Sequence, residues 1–183
     1  ERMTVCLVND LETLIWAENL ASVELHVPLA RVRSSNTPDV LVFDLDPDDP
    51  AGLLECARVA LIIRDLLSGM GLAAYVKTSG KKGLHVYVPL NRGGTPFEHT
   101  KTFSKAVAGI VQKHYPDLVT AKMAKKERDG KVFINWSQND SSKTMICVYS
   151  LRAREAPIVS FPLTWKELED LTGRGKPEKF IIL

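Results

Sequence analysis

Hydrophobic positions recur along this chain with two different periods, and the switches between them mark its elements. Leu11, Leu14, Ile15 and Leu20 follow helical spacing, which predicts a first helix from about Asp10 to Ala21 with Asn9 or Asp10 as its cap. A short strand is expected at Ser22 to Val27. Pro38 and Asp39 introduce Val40-Leu41-Val42-Phe43, an apolar, β-branched run that ends in Asp44-Leu45-Asp46-Pro47. This reads as a buried strand that delivers carboxylates at its end. Asp49 as cap and Pro50 at the first helical position predict a second helix. Leu53, Leu54, Ala57, Leu61 and Ile62 supply its apolar face, and Gly69 and Gly71 stop it.

Ala73 to Val76 and Leu84 to Leu90 are extended by pattern, and Ser79-Gly80-Lys81-Lys82-Gly83 between them is a turn by composition, so a hairpin is expected. Thr95-Pro96-Phe97-Glu98 has the form of a capping box with proline at the first helical position, opening a third helix that runs to about His114 before Pro116. Lys131 to Asn135 and Thr144 to Leu151 predict two more strands, antiparallel to one another across the polar segment Ser137 to Ser142. Thr164-Trp165-Lys166-Glu167 predicts a second capping box and a short last helix. The elements add up to a mixed α/β fold in which helices back a largely antiparallel sheet cleft.

At 183 residues the chain suits one domain with a sizeable core. No stretch reaches the roughly 20 consecutive apolar residues of a membrane helix, and no basic-then-apolar leader opens the sequence, so a soluble, unexported protein is expected. Cys6, Cys56 and Cys147 are widely spaced and set in apolar surroundings, which favours buried free thiols over a disulfide framework or zinc site. A net charge of +2 excludes nothing by itself. Its distribution says more: Lys77, Lys81, Lys82, Lys122, Lys125, Lys126, Arg128, Arg152 and Arg154 carry the positive charge, while carboxylates concentrate from Asp39 to Asp49. Such segregation suits a phosphate- and metal-binding cleft, or a set of solvated basic loops.

Side chains two apart on a strand share a face, so Asp44 and Asp46 project together. Crowded carboxylates call for a cation, and a hard divalent ion with oxygen ligands is the usual solution in phosphoryl transfer. The alternative is an acidic turn leading into a helix cap. Thr78 to His85 combines small residues, lysines and a histidine, a composition that suits a triphosphate. It lacks P-loop spacing, and a plain basic hairpin tip is the alternative. Arg152 and Arg154 lie two apart at a strand end, where guanidinium groups match phosphate oxygens or simply face solvent. His26, taken alone, reads as an ordinary core or surface imidazole.

Four ordered motifs together resemble one family: Val42-Phe43-Asp44-Leu45-Asp46-Pro47, Thr78 to Tyr87, Val132-Phe133-Ile134-Asn135-Trp136, and Tyr149-Ser150-Leu151-Arg152-Ala153-Arg154. In order and spacing they are similar to the polymerase domain of bacterial ligase D and its archaeal counterparts, in the archaeo-eukaryotic primase superfamily. The resemblance extends over nearly the whole chain and implies a single primase-polymerase catalytic core across residues 1–183. It implies template-directed nucleotidyl transfer at gapped or broken DNA ends in non-homologous end joining, in a prokaryotic, nucleoid-associated setting. Asp44 and Asp46 would be ligands in a two-metal Mn²⁺ or Mg²⁺ site. Ser79, Lys82, His85, Arg152 and Arg154 would hold the incoming triphosphate, and His26 would lie near the nucleotide's sugar. Ribonucleotides or deoxyribonucleotides would be substrates, and a DNA ligase and the end-binding protein Ku would be partners.

Two departures from the family stand out. Its third metal carboxylate should be an aspartate at position 135, where this chain has Asn135, an oxygen ligand without charge. Weaker metal binding and lost general-base help are expected, so a catalytically weak DNA-end-binding module is the second reading. The family also carries a preceding segment that helps bind template and a downstream 5′-phosphate, and residues 1–183 begin after it. A third reading takes Asp44-Leu45-Asp46 as the nucleophile and acid of a haloacid-dehalogenase-like phosphatase. Asp48, where that family prefers Thr or Val, and the want of a later paired-aspartate motif speak against it.

Overall fold

The computed structural model describes residues 6–91, 93–156 and 158–174. In chain order the elements are α1 (Leu11–Asn19), β1 (His26–Pro28), β2 (Val40–Pro47), α2 (Leu53–Gly69), β3 (Tyr75–Thr78), β4 (Leu84–Pro89), α3 (Phe97–His114), β5 (Val119–Thr120), β6 (Val132–Asn135), β7 (Thr144–Ile146), β8 (Leu151–Arg152), β9 (Ile158–Val159), β10 (Pro162–Leu163) and α4 (Trp165–Arg174). The central sheet has the order β10-β3-β4-β2-β6-β5, antiparallel throughout except for the parallel pair β5 and β6. Two small antiparallel pairs, β1 with β7 and β8 with β9, complete the mixed α/β architecture.

Period-two alternation divides the sheet into two faces of opposite chemistry. Leu41, Phe43 and Leu45 of β2, Leu84, Val86 and Val88 of β4, and Val132 and Ile134 of β6 form one core with Val59, Ile63 and Leu67 of α2, Val107 and Val111 of α3, and Leu168 and Leu171 of α4. Each fully buried Leu, Ile or Phe contributes about 1.5–3 kcal/mol, so this face anchors the sheet. On the other face Val42 packs with Leu29 and Met145 in a small second cluster, and beyond it the positions turn polar.

Several expected boundaries shift, each for an identifiable reason. α1 is capped by Asp10 as expected but ends at Asn19, and Leu11, Ile15 and Leu20 stay exposed, so its apolar spacing does not mark a buried face. The strand expected at Ser22 to Val27 shrinks to β1, because Ala21 adopts φ 60 and the Val23 N–H bonds back to its carbonyl, forming a turn. Asp49 and Pro50 do not start α2. Gly52 is the N-cap, its N–H donating to the Glu55 carboxylate at 2.8 Å. Asp49 instead gives its carbonyl to Gly130 and its side chain to Lys82. Pro96 caps α3 rather than occupying its first turn, and no side chain among the described residues caps the helix start. Thr164 and Glu167 do form the reciprocal cap of α4.

The strands at 132–135 and 144–151 do not pair with each other. β6 lies between β2 and β5, whereas β7 pairs with β1 and stops at Ile146. Tyr149, at φ 63, reverses the chain, and Leu151 then begins β8. Cys56 is buried and Cys147 partly so, but Cys6 is exposed; all three are free thiols. Among the described residues no helix is long and apolar enough to cross a membrane.

Candidate active site

The polar face of the sheet carries a continuous row. Lys77 of β3 is registered with His85 of β4, His85 with Asp44 of β2, and Asp44 with Asn135 of β6. Antiparallel partners put their side chains on the same face, so four consecutive strands contribute one polar group each. The Asp44 Oδ1 lies 3.3 Å from the His85 Nε2, and its Oδ2 accepts from the Asn135 and Gln138 amides at 3.2 and 3.3 Å. Burial acts to raise Asp44, yet hydrogen bonds from His85, Gln138 and Asn135 hold it below the ordinary carboxylate value. Burial likewise holds His85 below the usual imidazole value. An ionised Asp44 therefore faces a neutral His85 that donates through Nε2, and His85 Nδ1 is left buried without a partner among the described residues.

Asp46, two residues on, shares that face and reaches solvent. It is pushed up to about 6, first by partial desolvation and then by the negative charge of Asp44, against the pull of Arg128 and Lys81. Lys77 is buried, with Nζ 2.5 Å from the Ser160 hydroxyl and over the Tyr87 ring; burial lowers it to about 8. Asn135 is itself fixed: its carbonyl oxygen accepts from Ser137 at 2.7 Å, and the Ser137 hydroxyl accepts from Lys143 at 2.8 Å.

The hairpin between β3 and β4 folds onto this row. Ser79 Oγ accepts from the N–H groups of Lys81 and Gly83, each at 3.2 Å, closing the turn. Gly80 has φ 67, and a side chain there would collide with Arg152. At Gly83 a Cβ would run into the Leu45 carbonyl, so the hairpin backbone lies directly against the end of β2. Arg152 is buried beside Gly80, and its Nη1 meets the Glu24 carboxylate at 3.1 Å; the same carboxylate oxygen contacts His26 Nε2 at 3.1 Å.

Of the residues singled out in the sequence, the structure brings Asp44, Asn135, His85 and Asp46 together on one sheet face and joins Arg152 and His26 through Glu24. Ser79 faces inward as a turn clamp. Lys82 is exposed, with Nζ 3.2 Å from both oxygens of Asp49, and Arg154 is exposed two residues beyond β8. Both arginines line a cleft of about 1060 Å³ together with Val23 and Glu155, a lining that includes neither aspartate. Glu24, Gln138 and Asn139 were not singled out in the sequence, and Lys77 was read there only as one of the basic residues, not as part of the sheet row. Asn139 is fully buried; it accepts from the Val42 N–H at 2.9 Å and donates to the Val42 carbonyl at 2.7 Å. It thus replaces the strand partner that β2 loses where β6 ends. Lys77 could have been found by extending the strand period from Tyr75, but the partners of the other three lie far away in sequence.

The donor set bears on a metal. Asp44 and Asp46 share one face, two oxygen-donor carboxylates of a kind that fits one hard divalent cation. Asn135 presents an amide donor to Asp44 and no charge, so the set falls short of a second ion's needs. No group of three or more His, Cys, Asp or Glu side chains suited to metal binding gathers among the described residues.

The chain as a whole matches known proteins. Residues 1–180 match the family described as LigD, primase-polymerase domain. The chain is 41% identical over 180 residues to the multifunctional non-homologous end joining DNA repair protein LigD of Mycobacterium tuberculosis (strain ATCC 25618 / H37Rv), covering 91% of this chain and 23% of that protein. It is 34% identical over 160 residues to the bifunctional non-homologous end joining protein LigD of Bacillus subtilis (strain 168), covering 87% and 26%. The chain thus spans about a quarter of the length of these relatives. Among solved structures, the polymerase domain from Mycobacterium tuberculosis ligase D in complex with DNA superimposes with a TM-score of 0.82 at 41% identity, over 89% of this chain and 59% of that one. The phosphatase reading of Asp44-Leu45-Asp46 gives way to this match. Fold, ordered motifs and coverage agree: the chain belongs to the LigD primase-polymerase domain family.

Proposed function

We propose that residues 1–183 act as one catalytic domain for template-directed nucleotidyl transfer at gapped or broken DNA ends in end joining, at a rate limited by Asn135. The observation that carries this reading is the row Lys77-His85-Asp44-Asn135 with the Ser79–Gly83 hairpin and Arg152 folded against it. In the reaction a primer 3′-hydroxyl attacks the α-phosphorus of a ribo- or deoxyribonucleoside triphosphate. A new P–O bond forms, the bond to the β-phosphate breaks, pyrophosphate leaves, and the hydroxyl proton passes to solvent.

Each group has a task that its surroundings support. Asp44, kept ionised, and Asp46 would hold Mn²⁺ or Mg²⁺, with the Asn135 carbonyl as a neutral third donor. When bound, the ion supplies positive charge against the phosphate oxygens and the attacking hydroxyl. His85, neutral and buried, orients Asp44 and offers its free Nδ1 to the substrate. Arg152, Arg154 and Lys82 meet the triphosphate, His26 lies toward the sugar, and Ser79 shapes the hairpin that receives the phosphates. Asn135 cannot accept the proton of the attacking hydroxyl. A DNA ligase and Ku are the partners, and phosphate contacts make DNA binding salt-sensitive.

The decisive experiment is manganese-dependent primer extension on gapped DNA by the wild type and by Asn135→Asp. We expect the variant to gain about a hundredfold or more, the scale of a restored electrostatic contact to the transition state. Equal activity would show that position 135 is not a ligand. The Asn135 amide bond to Asp44 favours a second reading, a DNA-end-binding module with little catalysis. DNA binding without incorporation at saturating manganese would establish that reading in place of the first.

A further inference from the structure

Between Arg152 and His26 lies a carboxylate that belongs to none of the four motifs. Glu24 precedes β1, and both of its oxygens are engaged. Oε2 meets Arg152 Nη1 and His26 Nε2, each at 3.1 Å, and Oε1 accepts from the Ala153 N–H at 3.0 Å. The Leu25 N–H bonds to the Ser150 hydroxyl at 2.8 Å, so the segment before β1 is stitched to the segment that carries Arg152. Arg152 is only 7% exposed, and its Nε has no hydrogen-bond partner among the described residues. An unpaired donor on a buried guanidinium is costly unless an acceptor arrives. That guanidinium borders the cleft lined by Arg152 and Arg154.

We infer that Glu24 is a positioning residue, which fixes the Arg152 guanidinium by one edge and the His26 ring by its Nε2 so that both address the same bound nucleotide. This rests on the nucleotide-site reading above. A free arginine samples many rotamers, and holding it in place before binding removes that ordering cost from the binding step. The contrary role is a placeholder, a carboxylate sitting in the phosphate's seat and displaced by it. The Ala153 and His26 bonds oppose that, since Glu24 would surrender three interactions on leaving. Its carboxyl is held below the usual range, foremost by the His26 hydrogen bond, so it remains charged at neutral pH.

A double-mutant cycle tests the inference, with ATP binding in magnesium buffer measured by calorimetry for the wild type, Glu24→Ala, Arg152→Ala and the double variant. Glu24→Ala should weaken ATP about tenfold, the scale of one charge-assisted hydrogen bond. In the Arg152→Ala background the same substitution should cost less than about threefold. Glu24→Gln, which keeps an acceptor for Ala153 but no charge, should fall between, and it takes the place of Glu24→Ala in the cycle if the alanine variant does not fold. Unchanged or tighter ATP binding by Glu24→Ala, or losses that simply add, would overturn the positioning role while leaving the nucleotide site intact. A wild type that does not bind ATP would instead overturn the nucleotide-site reading, and this inference with it.

Discussion

The floor of the site and its rim are built by different forces. On the floor, Lys77, His85, Asp44 and Asn135 are fixed by strand register and largely shielded from water; His85, Asp44 and Asn135 are linked through hydrogen bonds that extend to Gln138, Ser137 and Lys143, while Lys77 is held by Ser160. On the rim, Lys82, Arg154 and the basic segment Lys122 to Arg128 are carried by turns and largely face solvent. Charge placed in the floor is costly and must be paired, whereas charge on the rim is cheap and weakly held. The floor is thus suited to fixing reactive geometry and the rim to attracting and adapting to a charged ligand. Arg152 belongs with the floor although its strand, β8, lies outside the central sheet, because Gly80 and Glu24 enclose it.

The sharpest break of this contrast comes where the two regions touch. Gly83→Ala would drive a methyl group into the Leu45 carbonyl, and the backbone on both sides is held by ladder bonds. We expect a loss on the order of 3–5 kcal/mol in urea unfolding, the upper end for single substitutions. A loss below about 1 kcal/mol would mean that the hairpin moves independently of β2. Next comes Asn139→Ala, which leaves the Val42 N–H and carbonyl without partners in a dry environment. Each buried orphan costs ~1–3 kcal/mol, so about 3 kcal/mol is expected by the same assay.

The same division explains what was legible in the sequence. Period-two patterning was enough to place Asp44 and Asp46 together and to set Phe43 and Leu45 on the opposite face, because strand geometry leaves no choice. Register was not legible: nothing local states that Asn135 falls opposite Asp44, or that Asn139 rather than a strand residue completes β2. Local capping signals succeeded at Thr164 and Glu167, which bond each other across three residues, and failed at Asp49, whose side chain and carbonyl were claimed by Lys82 and Gly130. Spacing found the helix at Leu11 to Asn19 but not its environment, since Ile15 and Trp16 are both more than half exposed. Glu24 was missed for the same reason as Asn139: its role exists only once distant segments meet.

Lys77 sharpens the comparison through pH. Its folded value is about 8 against 10.5 for a free lysine, because burial disfavours the charged form. The folded protein therefore holds this proton less tightly than the unfolded chain, and the cost is fully present below pH 8. It fades as pH rises from about 8 towards 10.5. Relative to Lys77→Met, the wild type should gain about 2 kcal/mol of unfolding free energy between pH 7.5 and 9.5. Identical pH profiles for the two proteins would place the Lys77 ammonium in water and remove it from the floor.

The smallest effect belongs to the rim. Lys82 and Asp49 pair at 3.2 Å, but their side chains are 67% and 84% exposed, so screening and side-chain entropy cancel most of the attraction. Lys82→Ala should change unfolding free energy by less than about 0.5 kcal/mol. Its effect should appear instead in triphosphate affinity, as a loss that shrinks when salt rises from 0.05 to about 0.5 M, because an exposed ammonium acts through a screened field. A loss of affinity insensitive to salt would mean that Lys82 becomes enclosed when the ligand binds, and that the line between floor and rim shifts with occupancy.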